Sequence, residues 1–499
     1  MEGRALFPCE LFSYPMCNVP LIKFTALGLS FLLCVAYTTA QQDRNASTET
    51  RKQTQLDDEQ TPQHLPKNEA AVAYQEGLAA YRRKDIANAA RAYESAVTLD
   101  PEFADAWQEL GRVKMMLRQL EPAEAALRKV LALSPDNPYA RTSLAGVLTA
   151  EKKYTEAIEL LQQELALFPD NADAHQQIAD LYMRLKQPER AIPEIEKAVA
   201  LRPDRFGVHY QLGQACMQTR EYDKAAASFE DAFAIDPAIG RMNDAAYQLA
   251  DAKTHLDLAE KWATHIVQDV ELEVNQVKLP LDSIAMQRAA SLAHFWDTLG
   301  WVKFQKGDLA AAEKYVGAAA QFVANSSGSK NLGEIYQAQG RKSDAEEAYA
   351  EALALVPGTR EMNDDEKTAR AQLASLLGSE SSIDDRIKQA QKNRENRRSV
   401  SIPNPARAVG LVQYVVIIGP GSKITEIQPM SPDDPLSELK DQLLSAKVPQ
   451  AFPDDTTQKL PRTATLSCPG KTSPCHLTLM PAPAGMRAQM VITAPDANP

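Results

Sequence analysis

The chain has 499 residues and a formal net charge of −12, with 66 acidic residues against 54 basic ones. This length suits about three ordinary domains, or one repeat array followed by a small domain. A net-negative chain is poorly suited to nucleic acid or to an anionic membrane surface, so neither is expected as a main partner.

The N-terminus carries the pattern of an export signal. Lys23 is followed by an apolar run of 13 residues, Phe24–Ala36. Such a run is shorter than the roughly 20 residues that a bilayer span needs, but it suits a secretory signal. Thr38 and Ala40 supply small residues for cleavage after Ala40. We therefore predict a signal peptide over 1–40, with retention as a membrane anchor as the alternative.

Cysteine usage agrees with export. Removing 1–40 leaves Cys216, Cys468 and Cys475. In an oxidising compartment the close pair predicts a disulfide between Cys468 and Cys475, and Cys216 a buried thiol. A metal site is the alternative for the pair, but the sequence offers no second pair of cysteines. We predict no metal and no cofactor, and a periplasmic or secreted location in a bacterium.

A polar stretch at 41–68 is expected to be a disordered tether, and a repeat with a period of about 34 residues follows it. Three chemically distinct columns share this period. The prolines are Pro101, Pro135, Pro169, Pro203 and Pro237, the small residues are Gly77, Gly111, Ala145, Ala179 and Gly213, and the large residues are Tyr93, Leu127, Leu161, Ile195 and Phe229. These columns predict helix pairs, because a small residue lets two helices cross closely and proline ends the second helix.

The columns resemble the tetratricopeptide repeat family. The stretch "AWQELGRVKMMLRQLEPAEAALRKVLALSP", 106–135, carries the family's Trp, Leu-Gly, Ala, large apolar and Pro positions in order, and further stretches do so from His294 and from Asn331. The resemblance implies a mainly α fold, a solenoid of about eight repeats. We predict five regular repeats, an irregular sixth between Ile239 and Leu292 with a long second helix, and two more. The solenoid with its capping helices is expected over 69–396.

The pattern changes period after a linker expected at 397–410. Over 411–482 we predict a small α+β module in the order β-β-α-β-β, and 483–499 is expected to be a tail. In the last hairpin, pairing Cys468 with Cys475 also pairs Leu466 with Leu477 and Ala464 with Leu479. This order resembles the TonB carboxy-terminal domain, and the whole layout resembles exported bacterial proteins that join such repeats to such a module.

Catalytic patterns are weak in this sequence. His209 and Cys216 are close enough in sequence to share one helix face and could form a nucleophile pair, although packing in the repeat core is the favoured interpretation. The sequence has no glycine-rich phosphate loop, HExxH or GxSxG motif. We predict that the chain is not an enzyme.

The family resemblance also implies a binding surface. In this family the first helix of each repeat lines a concave groove through its second, fifth, ninth and twelfth positions. Carried onto this sequence, these positions give Tyr74, Leu78, Tyr81, Gln108, Arg112, Met115, Tyr139, Thr142, Asp173, Gln176, Met183, Tyr210, Gln214, Met217, Asp297, Trp301 and Phe304. The share of Tyr, Met, Trp and Phe favours apolar or aromatic peptide partners. The alternative is that these side chains pack against neighbouring repeats or the C-terminal module.

These expectations add up to a protein- or peptide-binding scaffold or adaptor of the bacterial cell envelope, without a membrane span in the mature chain. Two alternatives stay open. The chain could be a structural component of an envelope or secretion assembly, or an accessory subunit of an enzyme complex.

Overall fold

The computed structural model describes residues 65–281, 283–356, 360–450, 452–453 and 458–480. The predicted signal peptide, most of the predicted tether and the predicted tail lie outside these residues. The chain divides into two compact units, 1–117 and 118–499. Among the described residues, no helix combines the length and the apolar character that crossing a membrane requires.

The described part of the first unit consists of three helices. They are α1 (Asn68–Arg82), α2 (Ile86–Leu99) and α3 (Ala104–Met116). A cap starts α2, because the Asp85 side chain accepts a hydrogen bond from the backbone N–H of Asn88. The helix α1 packs against α2, and α2 packs against α3.

The second unit continues the alternation of first and second helices. Its long helices are α4 (Leu120–Leu133), α5 (Pro138–Ala150), α6 (Tyr154–Leu167), α7 (Ala172–Arg184), α8 (Pro188–Leu201), α9 (Phe206–Thr219), α10 (Tyr222–Ile235), α11 (Ile239–Asp251), α12 (Leu256–Val274), α13 (Ser283–Gln305), α14 (Leu309–Phe322), α15 (Ser326–Ala338), α16 (Lys342–Ala354), α17 (Asp364–Leu377) and α18 (Ile383–Arg397). The helical solenoid expected from the sequence is therefore confirmed. The irregular sixth repeat is present as well, since its second helix, α12, is 19 residues long.

Close packing of a small residue on a large one joins the two helices of a repeat. A Cβ atom added to Gly213 of α9 would lie 2.5 Å from the ring of Phe229 on α10, and one added to Gly333 of α15 would lie 2.5 Å from the ring of Tyr349 on α16. Any side chain at these glycines would push the helices apart. This contact explains why the small and large columns share one period.

The turn between the two helices of a repeat contains a left-handed residue. In the regular repeats this residue is basic, and in the later ones it is glycine: Lys84, Arg118, Lys152, Lys186 and Arg220, then Gly307 and Gly340. A left-handed backbone costs a non-glycine residue about 1–2 kcal/mol, which glycine avoids. The regular repeats therefore carry a local strain that the later ones lack.

The C-terminal module is a five-stranded antiparallel sheet with a short helix. The strands are β1 (Ser399–Ile402), β2 (Gly410–Gly419), β3 (Lys423–Pro429), β4 (Leu460–Cys468) and β5 (Cys475–Leu479), and the helix is α19 (Lys440–Ser445). Their order in the sheet is β1-β5-β4-β2-β3. One predicted feature was incomplete: β1 lies inside the stretch expected to be a linker, and it pairs along β5 with Val400 opposite Leu477. So short a strand, between a charged helix end and a proline loop, gives too little pattern to predict.

The last hairpin has the predicted register. Leu466 lies opposite Leu477 and Ala464 opposite Leu479, with all four side chains buried. Cys468 and Cys475 form a disulfide bond with their Cα atoms 4.3 Å apart. The buried face of the hairpin is thus closed by a covalent link at its turn.

Polar contacts fix the module to the solenoid within the second unit. The Gln458 side-chain amide donates to the Glu271 carboxylate of α12 at 2.6 Å. The backbone N–H of Lys459 donates to Asn275, and the N–H of Leu279 donates to the Glu426 carboxylate of β3. The module is therefore held against the irregular repeat and is not a freely hanging appendage.

Candidate functional site

The predicted binding residues all lie on first helices. These are α1 and α3 in the first unit, and α5, α7, α9 and α13 in the second. The small residue of a first helix faces its own second helix, as Gly213 faces Phe229. The predicted residues lie at other positions around the helix.

The six predicted residues of the first unit are all half-buried. They are Tyr74, Leu78, Tyr81, Gln108, Arg112 and Met115. The Arg112 guanidinium lies 3.8 Å from the ring centre of Tyr81, and it also pairs with Glu109. A cation over an aromatic face holds both side chains in place. The first unit therefore presents a partly ordered surface of aromatic, apolar and basic groups.

The first helices α5, α7 and α9 of the second unit also present partly open side chains. Tyr139 is 70% exposed. Asp173 pairs with Arg205 at 2.5 Å and with Arg202 at 3.4 Å. Met183 and Met217 occupy the same repeat position, so adjacent first helices carry the same flexible apolar side chain. The half-buried predicted residues on these helices are Thr142, Gln176, Met183, Gln214 and Met217.

Tyr210 is a correction to the predicted surface, because it belongs to the core. Its side chain is only 6% exposed. The ring lies 5.6 Å from Phe206, 5.4 Å from Phe229 and 6.1 Å from Phe233, measured between ring centres. Burial raises the pKa of its phenol to about 12. Tyr210 thus stabilises the α9–α10 pair, as the alternative interpretation of these residues expected.

Asp297 and Trp301 of α13 are two further corrections. They are 6% and 3% exposed, whereas the following predicted residue on α13, Phe304, is half-buried. The Trp301 ring stacks on Phe304, with ring centres 5.1 Å apart, and lies 6.3 Å from Tyr247 of α11. These side chains fill the space between first helices and do not line an open groove.

The sequence reasoning missed the other members of this cluster. Lys330 of α15 places its ammonium 4.8 Å from the ring centre of Trp301 and 3.4 Å from the carboxylate of Asp365 on α17. Tyr247 lies in the irregular repeat, where the columns are hard to align. Counted from the first residue of each helix, Tyr247 of α11 takes the position of Gln214 on α9, so a shift of the frame by one residue would have found it. We call Tyr247, Asp297, Trp301, Lys330, Asn331 and Asp365 the inner cluster.

Several polar atoms of the inner cluster make no hydrogen bond of standard geometry with the described residues. They are Asp297 Oδ1, Trp301 Nε1 and both amide atoms of Asn331. Burial raises the pKa of Asp297, and the nearby His294, Asn331 and Lys330 oppose this shift. A buried carboxylate with few donors is costly in its charged form. The inner cluster is therefore a buried polar group whose hydrogen-bonding capacity is only partly used.

His209 and Cys216 have structural roles. The His209 ring Nε2 donates to the carbonyl of Pro203 at 2.9 Å, and His175 repeats this contact with Pro169 at 3.1 Å. Cys216 is free and fully buried, and burial raises the pKa of its thiol to about 11. A thiol with a raised pKa is a poor nucleophile.

No group of three or more His, Cys, Asp or Glu side chains in the described ranges has the arrangement of a metal site.

Solved structures similar to this chain include two bacterial proteins. MamA from Desulfovibrio magneticus RS-1 is 22% identical, with 35% of this chain and 98% of that chain covered and a TM-score of 0.33. PilF from Pseudomonas aeruginosa is 21% identical, with 40% of this chain and 90% of that chain covered and a TM-score of 0.35.

Family models of the tetratricopeptide repeat match the helical part of the chain. One matches 80–146 and 148–205, and a second matches 177–238 and 298–359. The matches agree with the helix pairs described above, and the stretch between 238 and 298 that they omit contains the irregular repeat. The chain therefore contains tetratricopeptide repeats, which serve in proteins as scaffolds for protein–protein interaction.

Proposed function

We propose that the tetratricopeptide repeats of this chain bind a protein or peptide partner through the first-helix face of the regular repeats. The observation that carries the proposal is a pair of half-buried apolar side chains at the same position of adjacent first helices, Met183 on α7 and Met217 on α9. Neither methionine belongs to the buried core. Exposed Tyr139 lies on α5, one repeat earlier. Apolar side chains of this kind offer contact area and adapt to an irregular ligand surface.

The inner cluster favours placing the binding surface on the regular repeats. Trp301 and Asp297 are buried by their neighbours, so a partner could contact these two side chains only if the surrounding helices moved apart. Polar side chains lie on the same first helices, because Arg205 at the start of α9 contacts Asp173 and Gln176 of α7. Apolar contacts together with polar ones are the usual composition of an interface. We expect an extended peptide segment with apolar or aromatic side chains as the ligand.

A peptide selected by the protein itself tests this proposal. Random peptides displayed on phage are selected on the purified chain, and the tightest one is synthesised with a fluorophore for anisotropy titration. Replacing Met183 and Met217 together by Gln should weaken its affinity about tenfold, because two contacts of about 0.7 kcal/mol each are lost. Both side chains are half-buried, so the variant should remain folded.

A matched control uses apolar side chains at the ends of second helices. Leu167 and Leu201 are the last residues of α6 and α8, and both are exposed. Their double replacement by Gln should leave the affinity unchanged. A peptide whose affinity falls with the Leu167 and Leu201 variant but not with the methionine variant would move the site to the other side of the repeats. Failure to select any peptide would remove the proposal.

We also propose that the mature chain works outside the bacterial cytoplasm, in the envelope, and that it is not an enzyme. The apolar run Phe24–Ala36 and the Cys468–Cys475 bond support export. Sequencing the N-terminus of the protein from its native source should find Gln41 first. A chain that begins within 1–36 would contradict removal of the signal peptide.

The proposal of an envelope protein also includes the C-terminal module. Its resemblance to the TonB carboxy-terminal domain stays a prediction, and a structural role in an envelope assembly remains the alternative function. Deleting the residues from 411 onward would not distinguish peptide binding from a structural role, since the deletion would also leave Glu271 and Asn275 of the solenoid without these hydrogen-bond partners. Point variants on the open faces are the cleaner test.

A further inference from the structure

Three arginines lie near the junction between the last long helix, α18, and the sheet. Arg394 and Arg398 stand one helical turn apart at the end of α18, so they point to the same side. Both are half-buried. Neither side chain forms a hydrogen bond or an ion pair with a residue that the structure describes. Their neighbour Arg397 differs, because it pairs with Glu347 and Glu351 of α16.

The third arginine, Arg462 of β4, is 1% exposed, and the partners of its side chain among the described residues are neutral. It donates to the backbone carbonyl of Gln321 at 3.3 Å, to that of Met480 at 2.9 Å, and to the Gln450 side chain. Its Nε atom has no partner among the described residues. The ring of Phe322 lies 4.7 Å away and offers only its face to the cation.

Hydrogen bonds to the backbone place Arg398 and Arg462 at one end of β5. The N–H of Leu479 donates to the Arg398 carbonyl at 2.9 Å, and the next residue, Met480, accepts from the Arg462 side chain. The pKa of Arg462 is lowered mainly by burial and, to a smaller extent, by the charge of Arg398. Burial and the charges of Arg394 and Arg397 lower the pKa of Arg398. Arg398 therefore repels the buried cation of Arg462 on one side and the half-buried cation of Arg394 on the other.

A buried cation without a counterion is unfavourable, and the cost falls when an anion enters. Guanidinium groups bind oxyanions through paired N–H donors, and phosphate has enough oxygen atoms to accept from several of them. We propose that Arg394, Arg398 and Arg462 form a binding site for a phosphate-type oxyanion at the junction of α18 and the sheet. The site is separate from the peptide-binding surface proposed above.

Inorganic phosphate is the probe for this site. The thermal unfolding midpoint of the full mature chain is measured in rising phosphate, against sodium chloride of equal ionic strength. An anion that binds only the folded chain raises the midpoint, so phosphate should stabilise the wild type more than chloride does. Isothermal titration of the same samples gives the affinity, which should fall about tenfold or more when Arg394 and Arg398 are both replaced by Gln.

The variant has an internal check and a matched control. Without phosphate, Arg394→Gln with Arg398→Gln should unfold at a higher temperature than the wild type, because repulsion with Arg462 is relieved. The control, Arg91→Gln with Arg407→Gln, removes the same charge from exposed positions and should keep the phosphate response. A wild type that phosphate does not stabilise beyond chloride would overturn the proposal. So would a junction variant that responds to phosphate like the control.

Discussion

The first helices of the regular repeats and those that follow the irregular one use the same sequence positions in different ways. Three residues before the small residue of the first helix, Gln176 of α7 is half-buried whereas Asp297 of α13 is buried in the inner cluster. One residue after the small residue, Gln214 of α9 is half-buried whereas Trp301 of α13 is buried. The long helices α12 and α13 accompany this change, and α11 packs directly against α13. A repeat position therefore tells which helix face a residue occupies. The stacking of neighbouring repeats decides whether that face is open.

The largest expected effect that tests this comparison is on stability. Trp301→Ala should destabilise the chain by about 3–5 kcal/mol, because it removes a large buried side chain and leaves a cavity. Tyr139→Ala should change stability by less than about 0.5 kcal/mol, because its side chain is already in solvent. Guanidinium unfolding followed by circular dichroism measures both. Similar losses of stability for the two variants would mean that the first-helix faces of α5 and α13 do not differ in burial.

A second test uses the pH dependence of the inner cluster. The folded-state pKa of Asp297 is raised above its ordinary value of 3.8 by burial. The folded chain therefore holds this proton more tightly, and its contribution to stability is present below pH 3.8 and is lost as the pH rises through the folded pKa. A pKa raised by one pH unit corresponds to about 1.4 kcal/mol.

Asp297→Asn should accordingly raise the unfolding midpoint at pH 7 and leave it nearly unchanged near pH 4. Asp173→Asn is the control in the regular repeats, where the carboxylate pairs with Arg205 near the surface. Such a pair contributes about 0–1 kcal/mol, so this variant should be slightly less stable at pH 7. An Asp297 variant that is less stable than the wild type at pH 7 would show that the neighbouring groups offset the cost of burying this carboxylate.

The smallest expected effect concerns the turns. Gly340→Ala should destabilise the chain by about 1 kcal/mol, because Gly340 has φ +74°. In the regular repeats Lys186 has φ 58° at the same turn. Lys186→Gly should change stability less, because relief of strain is offset by the extra freedom of glycine in the unfolded chain. Stability changes of equal size and opposite sign in the two variants would mean that backbone strain at the turn alone determines the effect.

The columns made the repeats predictable from the sequence. Gly213 and Phe229 are chemically distinct, and the small and the large residue keep the same separation in every regular repeat, so their pairing is visible without a structure. The hairpin register was equally accessible, because alternation and two cysteines allow one way of placing Leu466 opposite Leu477. The strand β1 was not predicted, since its short stretch has no alternation strong enough to mark it.

The candidate site was only partly predictable. Met183 and Met217 are half-buried and Tyr139 is exposed, but Tyr210 and Trp301 are buried. Whether an aromatic side chain is a ligand contact or a core residue depends on what packs over it, and residue type alone is the same in both cases.

The sequence by itself determined the helix pairs, the period of their stacking and the register of the disulfide hairpin, because these depend on local geometry and on contacts between residues a fixed number of positions apart. Only the tertiary structure decided which first-helix residues are closed into the inner cluster, and that Arg394 and Arg398 share a junction with Arg462. These features bring together residues from repeats or domains far apart in the chain, and their burial comes from the packing of whole elements against one another.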